Sequence, residues 1–229
     1  MKLSVVIPVY NEKATLEEII RRIQATQIEK EIIIVDDGST DGSNKLSENI
    51  AKSSNNSIRV IRHETNKGKG AAIINSMEEV KGDLIIIQDA DLEYDPNDYE
   101  ALLELFKNDH VQVVYGSRNL KKNNRSSFAY YWGGRLLSWI TNILYGSNVT
   151  DEATGYKVFR TSLLKDLDLK STGFDFCPEV TAKILRRKIK IYEVPISYNP
   201  RLRHEGKKIR WIDGLTAIWV LVKYRFKRF

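Results

Sequence analysis

Apolar positions in the first half of the chain follow two alternating patterns. Short apolar runs at residues 3–9, 31–35, 58–61, 84–87 and 111–115 predict five buried strands. Between them Leu16, Ile19, Ile20 and Ile23 recur at helical spacing. Leu46 and Ile50 do the same, as do Ala71, Ile74 and Met77, and residues 98–106 predict a further helix. Thr15-Leu16-Glu17-Glu18 matches a capping box, with Thr15 as the cap and Glu18 reaching back. Strands that alternate with helices and carry continuous apolar runs predict a mostly parallel sheet covered on both faces. The polar clusters at 10–12, 36–39 and 89–91 each follow a strand. Ligands of open α/β sheets bind at those carboxyl edges, so the three clusters are expected to share one site.

The second half is less regular. Residues 128–146 are aromatic-rich, with Trp132, Leu136, Trp139, Ile140 and Ile143 on one helical face. That face is expected to pack on the core, with a membrane interface as the alternative. A short strand is predicted at 158–160, a helix at 178–188 and a strand at 189–196. From Trp211 a basic amphipathic helix follows, with Trp211, Leu215, Ile218 and Val222 on one side. Such a helix can lie in a membrane interface, or Trp211 and Trp219 can pack on the domain.

The 229 residues, 42% hydrophobic and 29% charged, suffice for a large core and argue against disorder. The net charge of +6 is concentrated late: thirteen lysines and arginines lie between Arg186 and Phe229, opposed by Glu193, Glu205 and Asp213. A basic end points to an anionic partner such as a lipid, a phosphorylated substrate or nucleic acid. No run of apolar residues is long enough for a transmembrane helix. Cys177 is the single cysteine and is expected to serve packing; with a start that runs directly into a strand, a reducing, cytoplasmic setting is expected. His63, His110 and His204 have no metal-ligand spacing and receive no role.

Asp89-Ala90-Asp91 closes the fourth predicted strand. Two carboxylates separated by one small residue can reach magnesium or manganese, which bind one or two carboxylates together with substrate phosphates. Such an ion would neutralise a diphosphate leaving group. Asp36-Asp37 can accept the N–H edge of a nucleobase, while Gly38 and Ser39 suit a turn and a helix cap. No Gly-x-Gly-x-x-Gly follows the first strand, which disfavours a dinucleotide-binding fold, and no Gly-Lys-Ser/Thr P-loop is present. A nucleotidyltransferase would need a glycine-rich, arginine-bearing loop that is also missing. The loop Asn66-Lys67-Gly68-Lys69-Gly70 opens a helix and can border a diphosphate.

Taken in order, residues 5–12, Ile34 to Asp41, the 66–70 loop and Asp89-Ala90-Asp91 resemble family 2 glycosyltransferases, in particular the dolichyl-phosphate mannose and glucose synthase branch. Tyr115-Gly116-Ser117-Arg118, residues 192–196 and the tail from Glu205 through Trp211 to Asp213-Gly214 match that branch too. The resemblance spans essentially the whole chain. It implies an α/β GT-A (nucleotide-diphospho-sugar transferase) fold in one domain: a nucleotide-sugar-binding half over 1–120, an acceptor half over 121–210 and a basic amphipathic helix over 211–229. It implies that Pro8, Tyr10, Glu12, Lys67, Gly68, Asp89 and Ala90 border the donor and that Asp37 reads the base. Asp89, Asp91 and Glu93 would hold magnesium or manganese, and Asp91, Arg118 and Arg135 would act in catalysis. Arg118, Arg135, Arg201 and Lys207 would contact acceptor or diphosphate.

The expected reaction moves a hexose, with inversion, from a UDP- or GDP-sugar to a polyprenyl phosphate. The implied partners are that donor, that acceptor and a membrane surface on the cytoplasmic side, with no nucleic acid. One departure bears on this. Relatives that glycosylate hydroxyl groups use an acidic base, and the nearest late acidic doublet here is Asp151-Glu152. A phosphomonoester acceptor is already anionic and needs little deprotonation. The rivals are transfer to a hydroxyl of a polysaccharide or glycolipid, with Asp151 or Glu152 as base, and a non-catalytic lipid- or nucleic-acid-binding module.

Overall fold

The computed structural model describes residues 1–54, 57–124, 127–201 and 211–227. Seven strands form one sheet: β1 (Leu3–Val9), β2 (Lys30–Asp36), β3 (Ile58–Arg62), β4 (Leu84–Ile87), β5 (Val113–Ser117), β6 (Lys157–Arg160) and β7 (Ile191–Pro195). Their order is β3-β2-β1-β4-β6-β5-β7. All pairings are parallel except those of β6, which runs antiparallel to β4 and β5. β1, β2 and β4 are built from β-branched and aliphatic residues that are buried on both faces, as a parallel sheet covered by helices requires.

One face is covered by α1 (Leu16–Ala25), which buries Leu16, Ile19, Ile20 and Ile23, and by α2 (Ser43–Ser53) and α4 (Tyr99–Glu104). The opposite core holds Val6, Ile33, Ile85, Val113 and Phe159 against α3 (Lys69–Ser76), α6 (Thr161–Asp166) and α7 (Phe176–Arg186). Cys177 packs at the edge of this second core, as expected. The long helix α5 (Phe128–Tyr145) and the terminal helix α8 (Trp211–Phe226) lie against each other and against α7. Ala182 of α7, Leu137, Ile140 and Leu144 of α5, and Val220, Leu221 and Tyr224 of α8 form their shared cluster.

Two local expectations are corrected. The capping box at α1 does not form. Thr15 gives its hydroxyl to Glu12, and Glu18 pairs with Arg21 and Arg22 instead of reaching back. Guanidinium groups one turn away are stronger donors to the Glu18 carboxylate than a backbone N–H. The apolar face of α5 does not pack on the core either: Trp132, Leu136, Trp139 and Ile143 are exposed, and only Ile140 joins the cluster. The residues that do seat α5 are Leu137, Ser138, Ile140, Thr141 and Leu144.

Candidate functional site

The carboxyl ends of β1, β2 and β4 meet side by side, because Val9 pairs with Asp36 and Val6 with Ile87. The three polar clusters therefore converge, as their placement after strands predicts. Asn11 leaves β1 with φ 52°, a conformation its short polar side chain tolerates. Its amide accepts from the Thr40 N–H at 2.8 Å, while Ser39 Oγ accepts from the Asn11 N–H at 3.0 Å. The turns after β1 and β2 are thereby stapled together. Pro8 lies in β1, and Tyr10 is exposed at its end.

Asp37 is almost fully buried. Its carboxylate accepts from the N–H groups of Lys67 and Gly68, both at 2.8 Å. His63 Nδ1 lies 2.7 Å from the same carboxylate, and His63 Nε2 lies 2.8 Å from the Asn75 amide. The visible work of Asp37 is thus to clasp the 66–70 loop. Gly38, at φ 74°, lets this clasp close, since a Cβ there would stand 2.6 Å from the Thr65 carbonyl carbon.

The clasped loop delivers Lys69, the first residue of α3, to Asp89, and the two form an ion pair. Burial works most strongly against the Lys69 charge, but Asp89, together with Cys177 and Asp91, outweighs it and raises its pKa. Lys67 itself is exposed. Asp91 follows Ala90, which is buried, and the chain then turns through Leu92 at φ 62°, a strained conformation for a branched residue. Burial raises the Asp91 carboxyl, and Asp89 and Glu93 add to the effect, so it is pushed up to about 7. A site in which carboxylates crowd until one resists ionising fits a cation.

Glu93 points elsewhere. It accepts from Tyr198 Oη at 3.1 Å and from the Arg201 N–H at 2.8 Å. Among the described residues no three acidic, histidine or cysteine side chains converge as a ready-made metal cage. Asp91 remains the carboxylate best placed for a divalent ion, with Asp89 shared with Lys69, and such ions routinely take only one or two protein ligands beside phosphates. Arg201 spans the other side. Its guanidinium reaches Glu12 at 2.8 Å and the Asp91 carbonyl at 2.8 Å. A cavity of about 410 Å³ opens here, lined by Asn11, Glu12, Thr15, Asp91, Leu92 and Arg201 among others.

A buried layer supports the acidic turn. Gln88 accepts from the hydroxyls of Tyr99 and Tyr156, each at 2.6 Å. Tyr94 stacks on Tyr156 at 4.7 Å and accepts from the Gly155 N–H at 2.9 Å. A Cβ on Gly155 would stand 2.6 Å from Asp89 Oδ2.

At the end of β5, Arg118 is bound by Asp151 through two guanidinium nitrogens, at 2.7 and 2.6 Å. The Arg118 N–H donates to Asp151 as well, and the guanidinium lies 5.0 Å from the centre of the Tyr198 ring. Glu152 is buried beside Lys157, and burial raises its carboxyl above the ordinary range. Arg135 is exposed on α5, and Lys207 lies outside the described residues. Sequence reasoning missed His63 and Lys69. His63 carried no signal, because its partner Asp37 is distant in sequence; Lys69 stood in the loop already singled out.

The family model for glycosyl transferase family 2 matches residues 4–168. The chain belongs to that family. It is 32% identical to a dolichol-phosphate mannosyltransferase of Pyrococcus furiosus, over 90% of this chain and 59% of that protein. It is 32% identical to a UDP-N-acetylglucosamine–dolichyl-phosphate N-acetylglucosaminyltransferase of Methanococcus voltae, over 83% of each chain. An undecaprenyl-phosphate mannosyltransferase of Micrococcus luteus is 28% identical over 95% of this chain and 92% of that one. The chain thus spans about three fifths of the Pyrococcus protein's length and most of the other two. Among solved structures, glucosyl-3-phosphoglycerate synthase of Mycobacterium tuberculosis with UDP superposes with a TM-score of 0.75 at 20% identity, covering 98% of this chain and 80% of that one. At that identity the likeness shows the fold, the expected GT-A fold. The family 2 strand ends of this chain carry the acidic turn, the clasped loop and the β5 arginine on one edge of the sheet.

Proposed function

We propose that this family 2 protein transfers a hexose, with inversion, from a UDP- or GDP-sugar to the phosphate of a polyprenyl phosphate. The observation that carries the reading is the Asp89-Ala90-Asp91 turn, set beside the β1 and β2 ends and neutralised on one side by Lys69. Three of its relatives carry a polyprenyl-phosphate acceptor in their names. Related folds have been solved with Mn²⁺ and UDP-glucose or GDP-Man.

Asp91, with Asp89, would hold magnesium or manganese; the bound ion would supply positive charge to the departing diphosphate. Lys69 adds a fixed positive charge on the same side. Pro8, Tyr10 and Glu12 border the nucleoside, and Asp37 shapes the 66–70 loop and presents its remaining lone pairs to the base. Arg118 and Arg135 are assigned to the acceptor phosphate, with Arg201 and Lys207 as further contacts. The phosphate oxygen attacks the anomeric carbon opposite the leaving diphosphate, and no proton need be removed first.

The hydroxyl-acceptor alternative asks Asp151 or Glu152 to act as base. Asp151 has both oxygens on Arg118, and Glu152 is buried. Neither is poised to take a proton, which favours the phosphate acceptor. The setting that goes with such a lipid is peripheral, at the cytoplasmic membrane face. No helix among the described residues is long and apolar enough to cross a membrane.

The test is a screen of UDP- and GDP-sugars with manganese or magnesium, with and without a short polyprenyl phosphate. Nucleotide release that rises sharply with the lipid phosphate supports the reading. Turnover only with a glycan hydroxyl overturns it.

A further inference from the structure

The segment that joins α6 to α7 is held from two sides. On one side stands Glu179, in the first turn of α7 and fully buried. Its carboxylate accepts from the N–H groups of Lys170 at 3.0 Å and Ser171 at 2.6 Å. It also accepts from the Tyr224 hydroxyl of α8 at 2.7 Å and pairs with Lys183 at 2.8 Å. Lys183 in turn donates to the Asp168 carbonyl. A carboxylate taken out of water keeps its charge only with partners of this kind. Residues 168–171 are thereby pinned to α7, and through Tyr224 to α8.

On its other side the same segment lies against the 66–70 loop. The Thr172 carbonyl accepts from the Ala71 N–H at 2.9 Å. Gly68, at φ 96°, and Gly70 face the Thr172 and Ser171 carbonyl oxygens so closely that a Cβ on either would collide with them. These two glycines flank Lys69, the partner of Asp89. Ser171 thus has its N–H on Glu179 and its carbonyl against Gly70, so a single residue separates the buried carboxylate from the loop. Asp37 holds the Lys67 and Gly68 N–H groups from the β2 side, and residues 171–172 back the loop from the α7 side. Lys69 is therefore set between two polar clamps, and the second of them runs to α8. A buried, satisfied polar network responds as a unit when one member is removed.

We propose that Glu179 is a positioning residue for the sugar donor: it fixes the 170–172 segment as the backstop of the 66–70 loop, and Tyr224 sets the strength of that hold from α8. The role rests on the nucleotide-sugar part of the reading above and is independent of the acceptor. Glu179 acts through Ser171, Thr172 and Lys69, not by contact with the donor. The seating of α8 is thereby felt at the Lys69–Asp89 pair, along a contiguous path of hydrogen bonds and backbone contacts.

The experiment compares two hydroxyl deletions in the full chain. Tyr224→Phe keeps the ring and removes only the hydroxyl on Glu179. Tyr145→Phe is its control, because the Tyr145 hydroxyl donates to the Leu221 carbonyl at 2.7 Å and so seats α8 without touching Glu179. Affinity for UDP and for GDP with manganese is measured by calorimetry, donor KM and kcat by turnover, Ala71 amide exchange by deuterium uptake and stability by thermal unfolding. Tyr224→Phe is expected to weaken binding of whichever nucleotide the wild type holds, and to raise donor KM, by about fivefold, the effect of one lost hydrogen bond, with kcat within about twofold and faster exchange at Ala71. Tyr145→Phe is expected to lower the melting temperature comparably while nucleotide affinity stays within about twofold of the wild type. Equal nucleotide affinity in the two variants, or unchanged Ala71 exchange in Tyr224→Phe, overturns the positioning role and leaves Glu179 a structural tie. A wild type that binds neither nucleotide overturns it as well. The predicted shift in a protein whose wild type glycosylates only a hydroxyl acceptor upholds the positioning role and removes the lipid-phosphate reading instead.

Discussion

His63 and Asp37 lie 2.7 Å apart in the interior, and the same Asp37 carboxylate holds the N–H groups of Lys67 and Gly68. Asp37, the loop and the Lys69–Asp89 pair are therefore one connected unit. His63→Ala removes a buried partner without touching donor or metal. It is expected to cost about 1–3 kcal/mol of stability. The loop loosens, so the donor KM is expected to rise more than kcat falls. Steady-state kinetics with thermal unfolding checks this; an unchanged KM would disconnect His63 from the donor site.

How much of this unit could be read beforehand depends on the range of its contacts. The strands were legible because buried parallel strands are continuous apolar runs, and the site edge followed from what comes after them. The antiparallel course of β6 was not legible, since Lys157–Arg160 takes its direction from β4 and β5. His63 was invisible for the same reason: its meaning lies in Asp37, brought close only by the β2–β3 pairing. The α5 stripe was misplaced because an apolar period locates a face without saying whether protein covers it. Lys69 and Arg201 differ again. Lys69 stood in a recognised loop and Arg201 was itself a candidate contact, but their partners, Asp89 and Glu12, depend on the folded loops.

Gly155 is a steric test of the acidic turn. Gly155→Ala places a methyl group 2.6 Å from Asp89 Oδ2 and 2.9 Å from the Tyr94 ring. The expected cost is about 1–3 kcal/mol of stability, as for other overpacked positions. Turnover is expected to fall by about tenfold, because small displacements of catalytic groups cost at least that much. Retained activity would mean that Asp89 tolerates displacement.

Asp151 separates a base from a structural partner. Asp151→Asn leaves the Arg118 guanidinium poorly paired in a largely buried place. Losing one member of such a pair costs up to about 3–5 kcal/mol. Stability and activity are expected to fall together, and Arg118→Met combined with Asp151→Asn is expected to recover part of the stability. Lost turnover with an unchanged melting temperature would restore Asp151 as the base of a hydroxyl transferase.

Glu179 ties α8 to the domain. It accepts from Tyr224 Oη at 2.7 Å, pairs with Lys183 at 2.8 Å and receives the N–H groups of Lys170 and Ser171. Burial alone would raise its carboxyl, but Lys183, Tyr224 and Ser171 together hold it down to about 2. A depressed carboxylate contributes stability that is present above its unfolded pKa and is lost as pH falls through its folded one. The loss is therefore expected between about pH 4.5 and pH 2. Glu179→Gln is expected to destabilise at neutral pH and to flatten that acid limb, read by thermal unfolding across pH. An unchanged acid limb would contradict this assignment.

The central claim, metal-assisted transfer to a lipid phosphate, is tested most directly by measuring sugar-loaded polyprenyl phosphate formed by the wild type and by Asp91→Asn, across a manganese or magnesium titration. Metal-dependent product is expected from the wild type. Product is expected to fall by about a thousandfold or more in the variant, the loss that follows when a main electrostatic contributor is removed, with the melting temperature retained. Product formation by Asp91→Asn at the wild-type rate, or by the wild type with all divalent ions chelated, would contradict it.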